Sequence, residues 1–306
     1  MNVCIIGSYL KALVMTSERI PAPGETLNGR DFRECYGGKG SDMAVQAARL
    51  GANVSFIGVV GDDNFGREFI SLMEEEHVDT SGIRVAKEQE TGVGLIVKDE
   101  RARNVIVIDK GANNLFCESD IDANIGLIRK ADVVLAQLEI PVETALYALK
   151  KAKELGKTTI LNPAPAVDLM ENKLDFVDII TPNETEAGIA AGENEKLQLS
   201  HDEAAKRLLG TGCKKVIMTL GGKGVSIYTL EKEVHVPAYK IKVVDSNGAG
   251  DCFNASLSVA IAEGRKLQDA VTFANATAGL CCTKWETVPS YHTRKEVLEF
   301  MEGYAV

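Results

Sequence analysis

Short apolar runs alternate with amphipathic stretches along most of the chain. Val3–Ile6, Val54–Val60, Val133–Ala136, Thr158–Leu161, Asp178–Ile180 and Val216–Leu220 read as buried strands. Between them, Met43–Leu50, Phe65–Glu75, Val142–Leu155, Glu184–Ala191 and Asp202–Leu209 place apolar residues at helical spacing. Pro141 opens its helix at a position where a missing N–H costs little. The alternation predicts βαβ units, a mostly parallel sheet and helices on both of its faces. In such α/β sheets, ligands sit beyond the carboxyl ends of the strands.

Two regions break the alternation. Residues 9–36 and 90–110 are β-prone and turn-rich, without helical spacing. They form either a small separate sheet, such as a lid, or an extension of the main sheet; the residues alone do not choose. Beyond Asp251 the chain turns helical, over Cys252–Ala262, Leu267–Cys281 and Arg294–Met301. No repeat or low-complexity linker interrupts it. The reading is one α/β domain over residues 1–306, with lid segments 9–36 and 90–110.

Composition narrows the classes. The 306 residues carry a formal charge of −10 and no Lys/Arg run, which argues against nucleic-acid partners. A phosphate ligand must then be held by local geometry, not by a positive surface. No stretch approaches the length of a membrane span, and the N-terminal apolar stretch is interrupted by Lys11, so neither a signal peptide nor a membrane partner is expected. Seven cysteines without C-x-x-C spacing read as reduced thiols of a cytoplasmic protein. Four scattered histidines give no zinc pattern.

The strongest local signal is Asp245-Ser-Asn-Gly-Ala-Gly-Asp251, between a β-prone run (Tyr239–Val244) and an apolar helix. Amides of residues 248–251 at a helix start would point at an anion, with the helix dipole behind them. Asp251 would repel that anion, unless it serves as a general base for an attacking hydroxyl. The plain alternative is a glycine turn with Asp251 as a cap. Gly37-Gly-Lys-Gly40 and Gly221-Gly-Lys-Gly224 are not Walker A loops, because neither continues with Ser or Thr. Asn162-Pro-Ala-Pro165 and Thr181-Pro-Asn-Glu-Thr-Glu186 follow predicted strands, on the ligand-bearing edge.

In this order the four motifs resemble the ribokinase-like (PfkB) carbohydrate kinases, from Met1 to beyond Pro289. Pro23-Gly-Glu-Thr26, Gly61-Asp-Asp63, Gly111-Ala-Asn113 and Gln137-Leu-Glu139 support the match, and the ribokinase branch fits better than the fructokinase or adenosine kinase branches. The resemblance implies a three-layer α/β/α sandwich with a mostly parallel central sheet and a β-sheet lid that commonly forms a homodimer interface. It implies transfer of the ATP γ-phosphoryl to a hydroxymethyl group of a small sugar, with Mg²⁺. Asp251 would be the base, and Gly248, Ala249 and Gly250 the anion hole. Asn183 and Glu186 would organise Mg²⁺ and phosphates through water. Thr219, Gly221 and Gly224 match the nucleotide loop, and Asn275 lies beside the adenine. Gly38, Lys39, Asp42 and Glu139 fall at sugar-contact positions. Asp245 and Ser290 match a monovalent-cation (K⁺) site.

Three departures stand out. Leu10 and Ala12 occupy positions where the ribokinase branch has an Asn and an Asp that bind sugar hydroxyls, and Asp42 replaces the Asn closing G-G-K-G-A-N. A hydrogen bond to a charged group is worth about 1.5–3 kcal/mol, so ribose binding should weaken about tenfold or more. A deoxygenated or modified sugar, or a nucleoside, fits Leu10 and Ala12 better, unless Tyr9, Lys11 or Asp42 compensates. Glu286 stands where the branch has a cation-site glycine, and either supplies an oxygen or abolishes the K⁺ site. The sole tryptophan, Trp285, is a core or lid contact with no assigned role. A non-catalytic sugar or nucleotide sensor is the other reading, and the retained Asp251 argues against it.

Overall fold

The computed structural model describes residues 1–100 and 103–304; residues 101 and 102 of the predicted segment 90–110 lie outside the described residues. Thirteen strands follow in chain order. They are β1 (Asn2–Ile6), β2 (Leu10–Ser17), β3 (Arg30–Gly37), β4 (Asn53–Gly61), β5 (Asp79–Ala86), β6 (Thr91–Asp99) and β7 (Asn104–Gly111). The rest are β8 (Val133–Ala136), β9 (Thr158–Leu161), β10 (Ile179–Ile180), β11 (Val216–Thr219), β12 (Val225–Tyr228) and β13 (Glu233–Val236).

Nine of them form one sheet in the order β13-β12-β11-β10-β9-β8-β1-β4-β5. All neighbours from β11 to β5 run parallel, and only β12 and β13 are antiparallel. The apolar runs explain this burial on both faces. Along β1, Val3 and Ile5 enter one core while Cys4 and Ile6 enter the other. The first core takes Met43, Ala44 and Ala47 of the helix Lys39–Arg49, with Phe253 and Leu257 of the helix Ala249–Ala262. The second takes Ala145, Ala148 and Leu149 of the helix Val142–Glu154. The period-2 alternation of the strands thus sorts side chains into two helix layers, giving the expected α/β/α sandwich.

The two β-prone regions build a separate sheet, in the order β3-β2-β6-β7. It is tied to the body through Lys11, whose ammonium lies 2.5 Å from Glu68 on the helix Asn64–Glu75. Its outer strands β3 and β7 remain largely exposed, including Phe32 and Val105–Ile108, and Leu95 of β6 is exposed as well.

The structure departs from the pattern reading in three places. Tyr239–Val244 is not a strand, and Ile241 and Val243 line a cavity instead. The edge strand β5 and the hairpin β12–β13 were not visible as apolar runs, because each is exposed along part of its length. Trp285 is 61% exposed and is no core contact.

Candidate active site

Every predicted motif follows the carboxyl end of a parallel strand or opens a helix beside it. Gln137 and Glu139 follow β8, Asn162 follows β9, Thr181 and Asn183 follow β10, and Gly221–Gly224 follow β11. A cavity of about 550 Å³ lies along that edge. On its far side stands the helix Ala249–Ala262, capped by Gly248 in the left-handed conformation at φ 75°. A side chain at Gly248 would also collide with Tyr291 Oη and Thr287. No atom lies within 4 Å of where a Gly250 side chain would stand, so that backbone faces open space. The first N–H groups of a helix have no partner within it; here Ala249 and Gly250 line the cavity end, and Ala249 N donates to Ser246 O at 3.3 Å.

Asp251 sits in the first turn of this helix and is 7% exposed. Its Oδ1 has no hydrogen-bond partner, and Lys39 Nζ lies 3.8 Å away. Burial pushes its carboxyl up to about 6; Lys39 opposes the rise, while Glu139 and Glu186 add to it. Lys39 is in turn raised, chiefly by Asp251. A buried carboxylate that is half ionised near neutrality suits a group that takes up one proton.

The nucleotide-side residues gather on the same cavity. Asn183 and Glu186 cap the helix Glu184–Ala190 reciprocally: Glu186 N donates to Asn183 Oδ1 at 2.8 Å, and Asn183 N to Glu186 Oε2 at 2.9 Å. Burial raises the Glu186 carboxyl above its ordinary range, against Asn183 N–H and Lys39. Thr219, Gly221 and Gly224 line the opposite wall, and Asn275, held by a 2.8 Å hydrogen bond from Nδ2 to Pro237 O, closes one end.

At the acceptor end, Glu139 accepts from Ser8 Oγ at 2.5 Å and from Lys39 N at 2.8 Å. Gln137 fixes this pair by donating to Ser8 Oγ and accepting from Glu139 N. Gly38 caps the helix Lys39–Arg49 with its backbone against Tyr9 and Leu10. Leu10 and Asp42 are both buried, and Ala12 follows Leu10 on the same face of β2. Lys11 points to the other face and is committed to Glu68 and Glu34, so it does not compensate for the lost sugar contacts. Asp42 keeps Oδ1 unpartnered. Burial pushes its carboxyl well up, Asp251 and Glu139 add to the rise, and Thr287 and Lys39 oppose it.

The expected cation residues are already engaged. Asp245 accepts from Asn247 N at 3.0 Å and Glu286 N at 3.3 Å, and Ser290 Oγ donates to Thr287 O at 2.7 Å. The Glu286 carboxylate is drawn away to Arg33 of β3 at 2.6 Å. No orphaned side-chain oxygen marks a K⁺ cage at Asp245, Glu286 or Ser290. Among the described residues there is also no cluster of three metal-ligating side chains.

Ser8, Thr287 and Tyr291 join the site without having been singled out in the sequence. No spacing in the sequence marks these three side chains, and only the fold brings them to the helix starts. Asn113 holds the start of β2 in place, accepting from Tyr9 N and donating to Tyr9 O.

A helix-start anion cradle beside a buried, raised carboxylate, at the switch edge of a parallel sheet, defines an enzyme built for phosphoryl transfer. The chain belongs to the pfkB family of carbohydrate kinases, whose model matches residues 1–294. It is 36% identical over 301 residues to the ribokinase of Haemophilus influenzae, covering 98% of each chain. It is 32% identical over 304 residues to the deoxyribokinase of Salmonella typhimurium, covering 98% of this chain and 99% of that one. The structure of Arabidopsis thaliana ribokinase complexed with ribose and ATP superposes with a TM-score of 0.90 at 29% identity, covering 98% of each chain.

Lys39→Met removes the cation that holds Asp251 down. The Asp251 carboxyl should then titrate above the wild-type value of about 6, read by carboxyl infrared or ¹³C spectroscopy. An unmoved titration would show that Lys39 does not control this group.

Proposed function

We propose that the chain transfers the γ-phosphoryl group of ATP to a hydroxymethyl group of a small sugar, with Asp251 as general base. The observation that carries this reading is the buried, unpartnered Oδ1 of Asp251 in the first turn of the helix capped by Gly248. An acceptor hydroxyl delivered there meets a proton acceptor on one side and the helix-start amides of Gly248, Ala249 and Gly250 on the other. Lys39 offsets negative charge where donor and acceptor meet.

ATP occupies the cavity between Asn183–Glu186, the Thr219–Gly224 loop and Asn275 in this reading. The residues fit a hydrated Mg²⁺: Glu186 offers hard carboxylate oxygen toward the phosphate region, and its cap uses only Oε2. Bound there, Mg²⁺ neutralises phosphate charge. Asn183 and Glu186 would hold it through water.

The acceptor is a sugar that does not need hydroxyl contacts on its lid side. Leu10 and Ala12 offer that side only methyl and methylene groups, whereas Glu139, Lys39 and Asp42 offer polar contacts from the body. A deoxygenated pentose fits this division better than ribose. A nucleoside is the second acceptor class, favoured by the same apolar pair. Coupled ADP-release assays over pentoses, ketoses and nucleosides test the activity. Turnover with none of them by folded, ATP-binding protein would overturn it.

The small sheet acts as a lid and as a homodimer interface. Its exposed Leu95, Val105 and Val107 share one face, since Leu95 pairs with Val107 across β6 and β7; beside the free edge of β7 they make an apolar surface that pairing would cover.

Four outcomes follow from this reading. Asp251→Asn lowers kcat by roughly 10²–10⁴ while ATP binding stays near normal. In the wild type, kcat falls as pH drops through about 6, because the base must be ionised and its carboxyl is raised to that value. An unchanged rate in the variant would refute the base. Leu10→Asn with Ala12→Asp raises ribose kcat/KM by about tenfold or more over the parent; no gain would mean that ribose is already bound through other groups. Val107→Lys places a charge in the apolar face and converts a dimer to a monomer in light scattering, and a wild-type monomer would remove the interface.

A further inference from the structure

Tyr291 is buried, and its hydroxyl has no hydrogen-bond partner. An orphaned buried hydroxyl is costly, and phenylalanine would fill the same space without that cost. The position of the hydroxyl indicates what it is for. It lies against Gly248, at 2.7 Å from where a side chain on that residue would begin. Thr287 covers the same spot at 2.9 Å.

Two other buried oxygens without partners share this region, Oδ1 of Asp42 and Oδ1 of Asp251. Both carboxyl groups act electrostatically on the Tyr291 phenol and hold it neutral as a hydrogen donor, with burial the larger cause. The Thr287 hydroxyl faces Asp42 as well as Tyr36 O. The three orphans come from three elements: the helix Lys39–Arg49, the helix Ala249–Ala262, and the segment after the short turn Val288–Ser290. None satisfies another. One small molecule with several hydroxyls placed among them would serve all three.

We propose that Tyr291 is a specificity-determining residue for the acceptor: its phenol donates a hydrogen bond to an acceptor hydroxyl that in turn donates to Asp42. The inference rests on the sugar-kinase reading above and deepens it. A hydroxyl both accepts and donates, so it alone satisfies a phenol and a carboxylate together. Recognition then comes from the body side, opposite Leu10 and Ala12. The acceptor carries its hydroxyls along one edge and presents its bare edge to the lid. Asp251 is left to the reacting hydroxyl.

The test uses calorimetry on the full chain with a non-hydrolysable ATP analogue present, titrating D-ribose and 2-deoxy-D-ribose. Tyr291→Phe is expected to weaken the better-bound pentose five- to tenfold and to leave nucleotide affinity unchanged. Asp42→Asn is expected to weaken the same pentose, and the double variant to lose little more than the worse single one, because both groups hold one oxygen. Pentose affinity unchanged in Tyr291→Phe would overturn the proposal, as would equal weakening of pentose and nucleotide, which marks a merely structural hydroxyl. If Tyr291→Phe does not fold, strict additivity between Asp42→Asn and Thr287→Val overturns it. Wild-type protein that binds the nucleotide but neither pentose contradicts the sugar-kinase reading itself, and the proposal falls with it.

Discussion

One ammonium group serves three buried carboxylates. Lys39 stands 3.8 Å from Asp251, its own backbone N–H is held by Glu139 at 2.8 Å, and Asp42 follows three residues on in the same helix. In water such a set would be unremarkable chemistry, but burial makes each uncompensated charge expensive. The cluster answers by raising carboxyl groups, so that Asp251 reaches about 6 and Asp42 goes well above its ordinary range. A proton is thereby kept close to the place where one must be moved. In the proposed reaction the same charges leave the phosphate contacts to neutral groups, the helix-start amides first among them.

The sandwich exists, for function, to hold these groups against each other. Lys39 and Asp42 ride on the helix after β3, Glu139 follows β8, and Asp251 opens the helix that packs beside the first. Helices Lys39–Arg49 and Ala249–Ala262 share one core through Met43, Ala47, Phe253 and Leu257, which sets their starting turns side by side. Gln46 adds a polar tie, donating from Nε2 to His292 O at 2.9 Å and accepting from His292 N, so the segment bearing Tyr291 is fixed to the same helix. The smaller sheet is joined to this centre by Gly37–Gly38 leading into the Lys39 helix, by Thr287 Oγ1 donating to Tyr36 O, and by Glu286 paired with Arg33.

Much of this was legible in the residues. Buried parallel strands announce themselves as unbroken apolar runs, and β1, β4, β8, β9 and β11 all stood where those runs lie. The helix Lys39–Arg49 began four residues before its apolar period, because Gly38 and the close contact with Tyr9 fix its first turn and not side-chain burial. Half-exposed strands such as β5 and β13 left no run to read. The site was legible where chemistry needs glycines and carboxylates in fixed order, as in Asp245–Asp251. It was illegible at Ser8, Thr287 and Tyr291, whose contacts come from through-space proximity across long stretches of chain, 131 residues between Ser8 and Glu139 and 251 between Thr287 and Tyr36. Lys11, named with Tyr9 and Asp42 as a substitute for the sugar contacts, is turned by strand alternation toward Glu34 and Glu68.

The account stands or falls on which atom receives the phosphoryl group. The product formed from ATP and the best acceptor, analysed by ¹H-coupled ³¹P spectroscopy, tests this directly. A phosphorus coupled to the two protons of a single CH₂ places the phosphate on a hydroxymethyl oxygen, as expected for a hydroxyl delivered to Asp251 at the helix start. Coupling to one ring proton, or inorganic phosphate as the sole product, would contradict it.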